Sequence, residues 1–297
     1  MRTAAAARRC ANIKRMQQKS AANTSRGAPD RYGVVGHPIA HSRSPMIHGL
    51  FAASTGEHMI YDRYDILPEN FDREVRAFFV EGGRGLNVTV PHKEIAMRFA
   101  DQLSPRAKLA GAVNTLIKLP DGRIRGDNTD GAGLMTDLQR IGCSVAGKRV
   151  IILGAGGATR GILGPLREAH PALLIVANRS AERARELAGE AGCGYSDLAP
   201  GVRSDTAEPF DVVIHATSLG LEGKAPEVAT RIIGANSVAY DLGYGNPDTP
   251  FVRWARHHGA AQAAHGLGML VEQAAESFFL WRGVRPETGP VHTALRG

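Results

Sequence analysis

Apolar positions along this chain switch between two spacings. Short alternating or unbroken apolar runs read as strands, and i, i+3, i+4 spacing reads as helices. RYGVVGHPI, from Arg31, is a short strand running into a loop. SPMIHGLFAAST has helical spacing, with Met46, Ile47, Leu50 and Phe51 forming one face. YDRYDI reads as a strand, FDREVRAFFVEG as a helix and GLNVTV as a strand. This β-α-β-α-β alternation predicts a largely parallel sheet. AVNTLIKLPDGRIRGDNTD is hairpin-like, with Asp121-Gly122 at its turn. The pattern then restarts. GAGLMTDLQRIG is an amphipathic helix with Leu134, Leu138 and Ile141 on one side, stopped by Gly142. RVIILGAGG is an apolar strand meeting a glycine loop. LLIVANRS, FDVVIHATS and SVAYDLGY are further buried strands, each ending in polar or small residues. Helix signals between them complete a second, doubly wound α/β unit. GLGMLVEQAAESFFLWRGV is a long apolar-faced helix.

The glycine loop GAGGATRG spans Gly154 to Gly161, after the strand Val150–Leu153 and at the opening of a helix. Glycine triplets alone are weak evidence, so the strand-loop-helix context carries the reading. Small residues let the backbone approach a pyrophosphate, and the helix N-terminus offers free N–H groups and a positive dipole end. The alternative is a tight turn with nothing bound. An NAD site usually carries an acid about 20 residues further on, at the end of the next strand. Here that strand ends in Asn178-Arg179-Ser180, with Arg183 following. Two guanidiniums can hold a 2′-phosphate by charge-assisted bonds, which favours NADP. For Arg183 the competing role is an exposed pair with Glu182 or Glu186.

In NVTVPHKE, Asn87 and Thr89 share one face of a strand otherwise expected to be buried, near its C-terminal end. Ligands bind at that edge of open α/β sheets. Pro91 takes the chain out of the sheet. Lys93 then starts a helix, where the dipole disfavours a cation, so it needs an anionic partner or a chemical role. A solvated surface lysine is the plain alternative. Asp130, in GDNTDG, is the candidate anion, with helix N-capping as its alternative. Asn114 is a polar residue beside apolar ones. Ser42 and Ser44 present hydroxyls before a helix N-terminus, a place to receive a carboxylate or simply to cap the helix. Together these residues would clasp a small polyhydroxy acid.

Composition changes this picture little. The chain has 297 residues, enough for two domains, with 43% hydrophobic and 22% charged residues, as in a globular protein. No apolar run is long enough to span a bilayer. The net charge of +7 suggests a polyanion partner until it is located. Residues 1–29 hold Arg2, Arg8, Arg9, Lys14, Arg15, Lys19 and Arg26 and no acid. Without these seven, 29 basic residues face 29 acidic ones, so the excess charge belongs to the tail. In composition the tail resembles an organelle transit peptide; a disordered extension and an upstream start codon are the alternatives. The cysteines, Cys10, Cys143 and Cys193, stand alone, which suits a reducing cytoplasm. The 11 histidines show no metal-ligand spacing.

GHPIAHSRSPMIH, NVTVPHKE, GAVNT, GDNTDG, GAGGATRG, NRS with Arg183, and GLGMLVEQAA occur in the order found in shikimate dehydrogenases. The chain resembles that family from about Tyr32 to Gly283. The resemblance implies reversible NADPH-dependent reduction of 3-dehydroshikimate to shikimate, a step in aromatic amino-acid biosynthesis. It implies an N-terminal α/β substrate domain plus a Rossmann-type dinucleotide-binding domain, with a C-terminal helix returning to the first. The divisions expected are a disordered basic tail, 1–30, a substrate domain of 31–129 plus 266–297, and an NADP domain of 130–265. Lys93 and Asp130 would be the catalytic pair. Ser42 and Ser44 would bind the carboxylate, and Asn87, Thr89, Asn114, Tyr244 and Gln273 the ring hydroxyls. Gly154, Ala155, Gly156, Gly157 and Ala158 would hold the pyrophosphate. Asn178, Arg179, Ser180 and Arg183 would hold the adenosine 2′-phosphate end. Thr217, Leu242 and Gly266 would complete the cofactor site, the last two near the nicotinamide.

There are departures. His215 stands where members often have Asn, His265 where some have Asp, and Leu242 where some have Met. His215 reads as a strand-end polar residue rather than a ligand. A quinate/shikimate dehydrogenase preferring NAD remains an alternative, opposed by Arg179 and the serine pair. A quinate-sensing module would need a DNA-binding region, for which residues 1–29 are too short and unpatterned. A paralogue acting on another hydroxy acid stays open. The partners expected are small-molecule substrates, with no nucleic acid, metal or membrane; a homodimer is left open. Gly131, Gly133, Gly266 and Gly268 near the domain junctions would permit a hinge.

Overall fold

A computed structural model describes residues 27–197, 208–217, 219 and 223–296. Residues 1–26 of the basic tail, Cys10 among them, lie outside the described residues. The chain begins with β1 (Asp30–Gly36), α1 (Ser44–Thr55), β2 (Met59–Asp65), α2 (Phe71–Val80) and β3 (Gly83–Val88). Next come α3 (Lys93–Phe99), β4 (Gln102–Leu103), α4 (Pro105–Ala110), β5 (Thr115–Lys118) and β6 (Ile124–Asp127). These six strands form one sheet in the order β2-β1-β3-β5-β6-β4. Its outer pairings are parallel, while β5 runs antiparallel to both β3 and β6. The β5–β6 hairpin turns at Asp121-Gly122 as expected, with Gly122 at φ +88° closing a bond to Leu119. Its left-handed conformation is one that glycine adopts freely.

Then follow α5 (Asp130–Arg140), β7 (Arg149–Leu153), α6 (Gly157–Glu168), β8 (Leu173–Asn178), α7 (Ala181–Ala191) and β9 (Gly194–Asp197). β10 (Val212–His215), β11 (Val238–Asp241), α8 (Pro250–His257) and β12 (Gln262–His265) complete a second sheet, all parallel, in the order β12-β11-β10-β7-β8-β9. α9 (Leu267–Arg282) and α10 (Gly289–Arg296) end the fold.

Each sheet has its own core. Val35, Phe71, Leu86 and Val88 belong to the first. Val150, Ile152, Ile214 and Tyr240 belong to the second, joined by Leu134 and Leu138 from the predicted face of α5. α9 returns to the first unit. Its Val271, Ala274 and Phe278 pack on Ile47 and Phe51 of α1.

The predicted face of α1 needs correction. Met46 is 50% exposed, and His48 is buried beside Ile47 and Phe51. The His48 ring stacks on Tyr61 at 4.2 Å, which turns the helix toward β2. The glycines near the domain junctions are closely packed. A side chain on Gly131 would press on the Gly161 carbonyl at 2.8 Å, and one on Gly133 on the Gln273 backbone at 2.7 Å. Gly266 lies against the Leu242 carbonyl and Gly268 against the Asp137 carboxylate. These positions are small because helices and turns meet there.

Candidate active site

The C-terminal ends of strands from both sheets face one cavity of about 150 Å³. A strand end exposes backbone groups that no neighbouring strand uses, so polar side chains gather there. Ser42, Ser44, Asn87, Thr89, Lys93 and Asn114 line the cavity from the first unit. Asp130, Tyr244 and Gln273 join them, with Ala158, Leu242 and Gly266 on the side of the glycine loop. These residues lie far apart along the chain, and the fold brings them to one space.

Lys93 is the first residue of α3, and its Nζ pairs directly with Asp130 Oδ2. The two side chains are 19% and 8% exposed, so the pair is sheltered but open to a ligand. Asp130 does not cap its helix: it is the first residue of α5, and the N-cap residue, Thr129, makes no side-chain cap bond. Its Oδ1 accepts from Asn114 Nδ2 at 2.8 Å, and its N–H donates to Asn128 Oδ1 at 3.0 Å. Asn114 is itself held, since its Oδ1 accepts from the Thr129 N–H at 2.8 Å. The carboxylate is therefore oriented before any substrate arrives.

Asn87 is oriented in the same way. Its Oδ1 accepts from the Tyr61 hydroxyl at 2.7 Å, and its Nδ2 donates to Ser277 Oγ at 2.9 Å. Thr89 lies just beyond β3, and its N–H donates to the Val35 carbonyl at 2.9 Å. Ser42 and Ser44 are 3% and 5% exposed. Ser42 Oγ accepts from the Ser44 N–H at 3.3 Å, while Arg63 grips the Ser42 carbonyl through Nε at 3.0 Å and Nη2 at 2.5 Å. The N-cap residue of α1, Arg43, makes no side-chain cap bond, and both serine hydroxyls line the cavity. Gln273 Oε1 faces Thr129 Oγ1 at 3.3 Å, and Tyr244, 37% exposed, stands at the rim.

The glycine loop suits a phosphate-bearing cofactor. Gly154 has φ +119°, and a side chain there would meet the Ala216 carbonyl at 3.0 Å. Gly156 and Gly157 face open space. No side chain caps the N-terminus of α6, leaving its N–H groups for an anion. Thr159 Oγ1 closes the loop by donating to the Gly154 carbonyl at 2.8 Å. At the end of β8, Asn178 Nδ2 donates to the Ser180 carbonyl at 3.1 Å. Arg179 and Arg183 are exposed, and among the described residues neither joins an ion pair. The donor set therefore fits an NADP-type ligand.

Several residues around the site escaped the sequence reading. Tyr61, Thr129 and Ser277 hold the cavity residues without themselves lining the cavity, and Met269 and Leu270 line it. Ser277 carried a signal, standing four residues after Gln273 on a helix face that is otherwise apolar. The others lie on elements whose neighbours only the fold supplies.

The family model for the shikimate dehydrogenase substrate binding domain matches residues 34–116. That for shikimate/quinate 5-dehydrogenase matches 137–221, and that for the shikimate 5'-dehydrogenase C-terminal domain matches 266–296. A shikimate dehydrogenase (NADP(+)) of Methylococcus capsulatus is 51% identical over 275 residues, covering 90% of this chain and 96% of the relative. The chain belongs to the shikimate dehydrogenase family. Among solved members of this fold, an Ael1 enzyme from Pseudomonas putida superposes with a TM-score of 0.83 at 42% identity, covering 90% of this chain and 98% of its own. Shikimate 5-dehydrogenase from Thermus thermophilus, in complex with NADP(H) and shikimate, gives a TM-score of 0.81 at 34% identity, with coverage of 90% and 98%. The family's substrate and nucleotide-binding units thus correspond to the two sheets described above. Among the described residues no helix is long and apolar enough to cross a membrane, and no cluster of side chains could hold a metal.

Proposed function

We propose that this chain reduces 3-dehydroshikimate to shikimate with NADPH, reversibly, with Lys93 and Asp130 as the catalytic residues. The observation that carries this is the Lys93–Asp130 ion pair in a cavity lined by two serines, two asparagines and the turns next to the glycine loop. When bound, NADPH supplies the hydride that reduces the ring carbonyl carbon. The Lys93 ammonium donates a proton to the carbonyl oxygen as negative charge develops there. Asp130 steadies that ammonium and accepts from the neighbouring ring hydroxyl. Ser42 and Ser44 donate to the substrate carboxylate, which sets which ring carbon faces the cofactor. Asn87, Thr89, Asn114, Tyr244 and Gln273 take the ring hydroxyls. Gly154 to Ala158 receive the pyrophosphate, and Asn178 to Arg183, chiefly Arg179 and Arg183, the 2′-phosphate. Thr217, Leu242 and Gly266 complete the cofactor site, the last two near the nicotinamide.

We read residues 31–129 with 266–297 as the substrate domain and 130–265 as the NADP domain, acting in the cytoplasm, where lone cysteines stay reduced. Initial rates with shikimate or quinate, each with NADP or NAD, test the assignment. Strong activity only with shikimate and NADP is expected. Comparable quinate or NAD turnover would overturn the specificity assigned to Arg179 and the serine pair. No activity in any combination would overturn the reaction itself.

A further inference from the structure

A buried polar chain at the ends of β10, β11 and β12 has no part in the chemistry above. His215 closes β10 and Asp241 closes β11, and the two are partners in the sheet register. Each is only 1% exposed. His215 Nδ1 lies 3.0 Å from Asp241 Oδ1, and its Nε2 lies 2.5 Å from Thr217 Oγ1. A carboxylate can only accept, so Nδ1 donates to Asp241, and Nε2 is bonded to the Thr217 hydroxyl. Asp241 Oδ1 also accepts from the Gly243 N–H at 2.9 Å, and Oδ2 from the Thr249 hydroxyl at 2.5 Å. The Gly243 carbonyl in turn accepts from the Gly266 N–H at 2.8 Å. One histidine–aspartate pair thus ties together the turns after three neighbouring strands, the turns that carry Thr217, Leu242 and Gly266.

Leu242 and Gly266 line the same cavity as Lys93 and Asp130, and so does Ala158 from the helix after the glycine loop. A dinucleotide with its pyrophosphate on that loop must cross these strand ends to bring its reactive ring beside Lys93. Resting on the NADP reading above, we propose that His215 and Asp241 are positioning residues for the nicotinamide end of the cofactor. They act through Thr217 and the two turns and do not line the cavity. Held between His215 Nε2 and the Leu219 N–H, the Thr217 oxygen has one fixed position. With Gly243 and Gly266 bonded through Asp241, the two turns keep one separation. Preset groups of this kind lose less freedom when a ligand is ordered against them.

The ring of His215 stacks on Phe251 at 4.9 Å, so packing and hydrogen bonding can be separated. His215→Phe keeps an aromatic ring and removes both bonds. Asp241→Asn keeps the shape of the side chain, removes the carboxylate that holds His215 and the Gly243 turn, and serves if the first variant does not fold. Each folded variant is titrated with NADP+ and with adenosine 2′,5′-bisphosphate, which carries the 2′-phosphate but no nicotinamide. The expected result is NADP+ binding weakened about tenfold, the scale of one lost hydrogen bond, with the bisphosphate unchanged. The KM for NADP should rise while that for shikimate holds. Equal weakening of both ligands would show general damage to the cofactor unit and overturn the proposal, as would unchanged NADP+ affinity. A wild-type chain that binds neither ligand would overturn the NADP reading, and the proposal with it.

Discussion

At the scale of single residues, Lys93 carries the sharpest expectation. Lys93→Ala removes the proton donor proposed above and should lower turnover by about 10²–10⁴, while NADP+ titration shows retained binding. Near-normal turnover in that variant would remove Lys93 from the mechanism. His48 makes a different prediction. Burial holds its imidazole down to about 3, from 6.5. The folded chain therefore keeps His48 neutral where the unfolded chain protonates it, so the unfolded state binds more protons between these values. Stability is lost as pH falls through about 6.5, by up to about 1.4 kcal/mol per pH unit from this group. Denaturant melts at pH 7 and pH 5 should show His48→Leu losing about 2 kcal/mol less than the wild-type chain over that range. An identical loss in both would show that His48 is not the titrating group. Asn87, Thr89 and Lys93 were legible because strand period and Pro91 fix their direction locally. Tyr61 and Ser277 were not, since their partners lie 26 and 190 residues away from them.

At the scale of elements, α5 sits where the helices meet, and its glycines show why. Its first residue, Asp130, rests against Gly161 of α6, where an added Cβ would meet Asp130 Oδ2 at 2.9 Å and Cβ at 3.1 Å. The last glycine of the loop motif is thus small for the sake of the Asp130 carboxylate as well as for helix packing. Gly161→Ala should displace Asp130 and lower turnover by about tenfold to 10²-fold, with Ser42 and Ser44 untouched. Unaltered kinetics would mean that the carboxylate relaxes freely. The helix and strand order was readable from periodicity, including the restart after Asp127. The short strands β4, β9 and β12 were not read. Runs of two to four residues carry too little pattern, and sheet neighbours decide them.

At the scale of the whole molecule, the two units are held by a few buried polar bonds where α9 crosses back. The Tyr240 hydroxyl donates to Asp137 Oδ2 at 2.5 Å and accepts from the Met269 N–H at 3.2 Å, while Arg140 Nε donates to Asp137 Oδ1 at 2.7 Å. This joins β11, α5 and the start of α9. Tyr240→Phe keeps the packing but leaves part of a buried carboxylate unpaired. It should cost about 1–3 kcal/mol in chemical denaturation. An unchanged midpoint would show the crossing to be held by apolar packing alone.

The sequence by itself determined two α/β units, the first largely parallel and closed by a hairpin, the glycine loop, the arginine-bearing strand end and the residue types of the site. These follow from local periodicity and from backbone chemistry that acts within a few residues. Tertiary structure alone decided that Lys93 and Asp130 touch and that Asn114 and Asn87 are oriented by neighbours. It also decided that His48 turns inward while Met46 stays in water, and that His215 joins three turns through Asp241. Each of these depends on which elements are packed side by side. That choice is made by burial summed over the whole core rather than by any one stretch of chain.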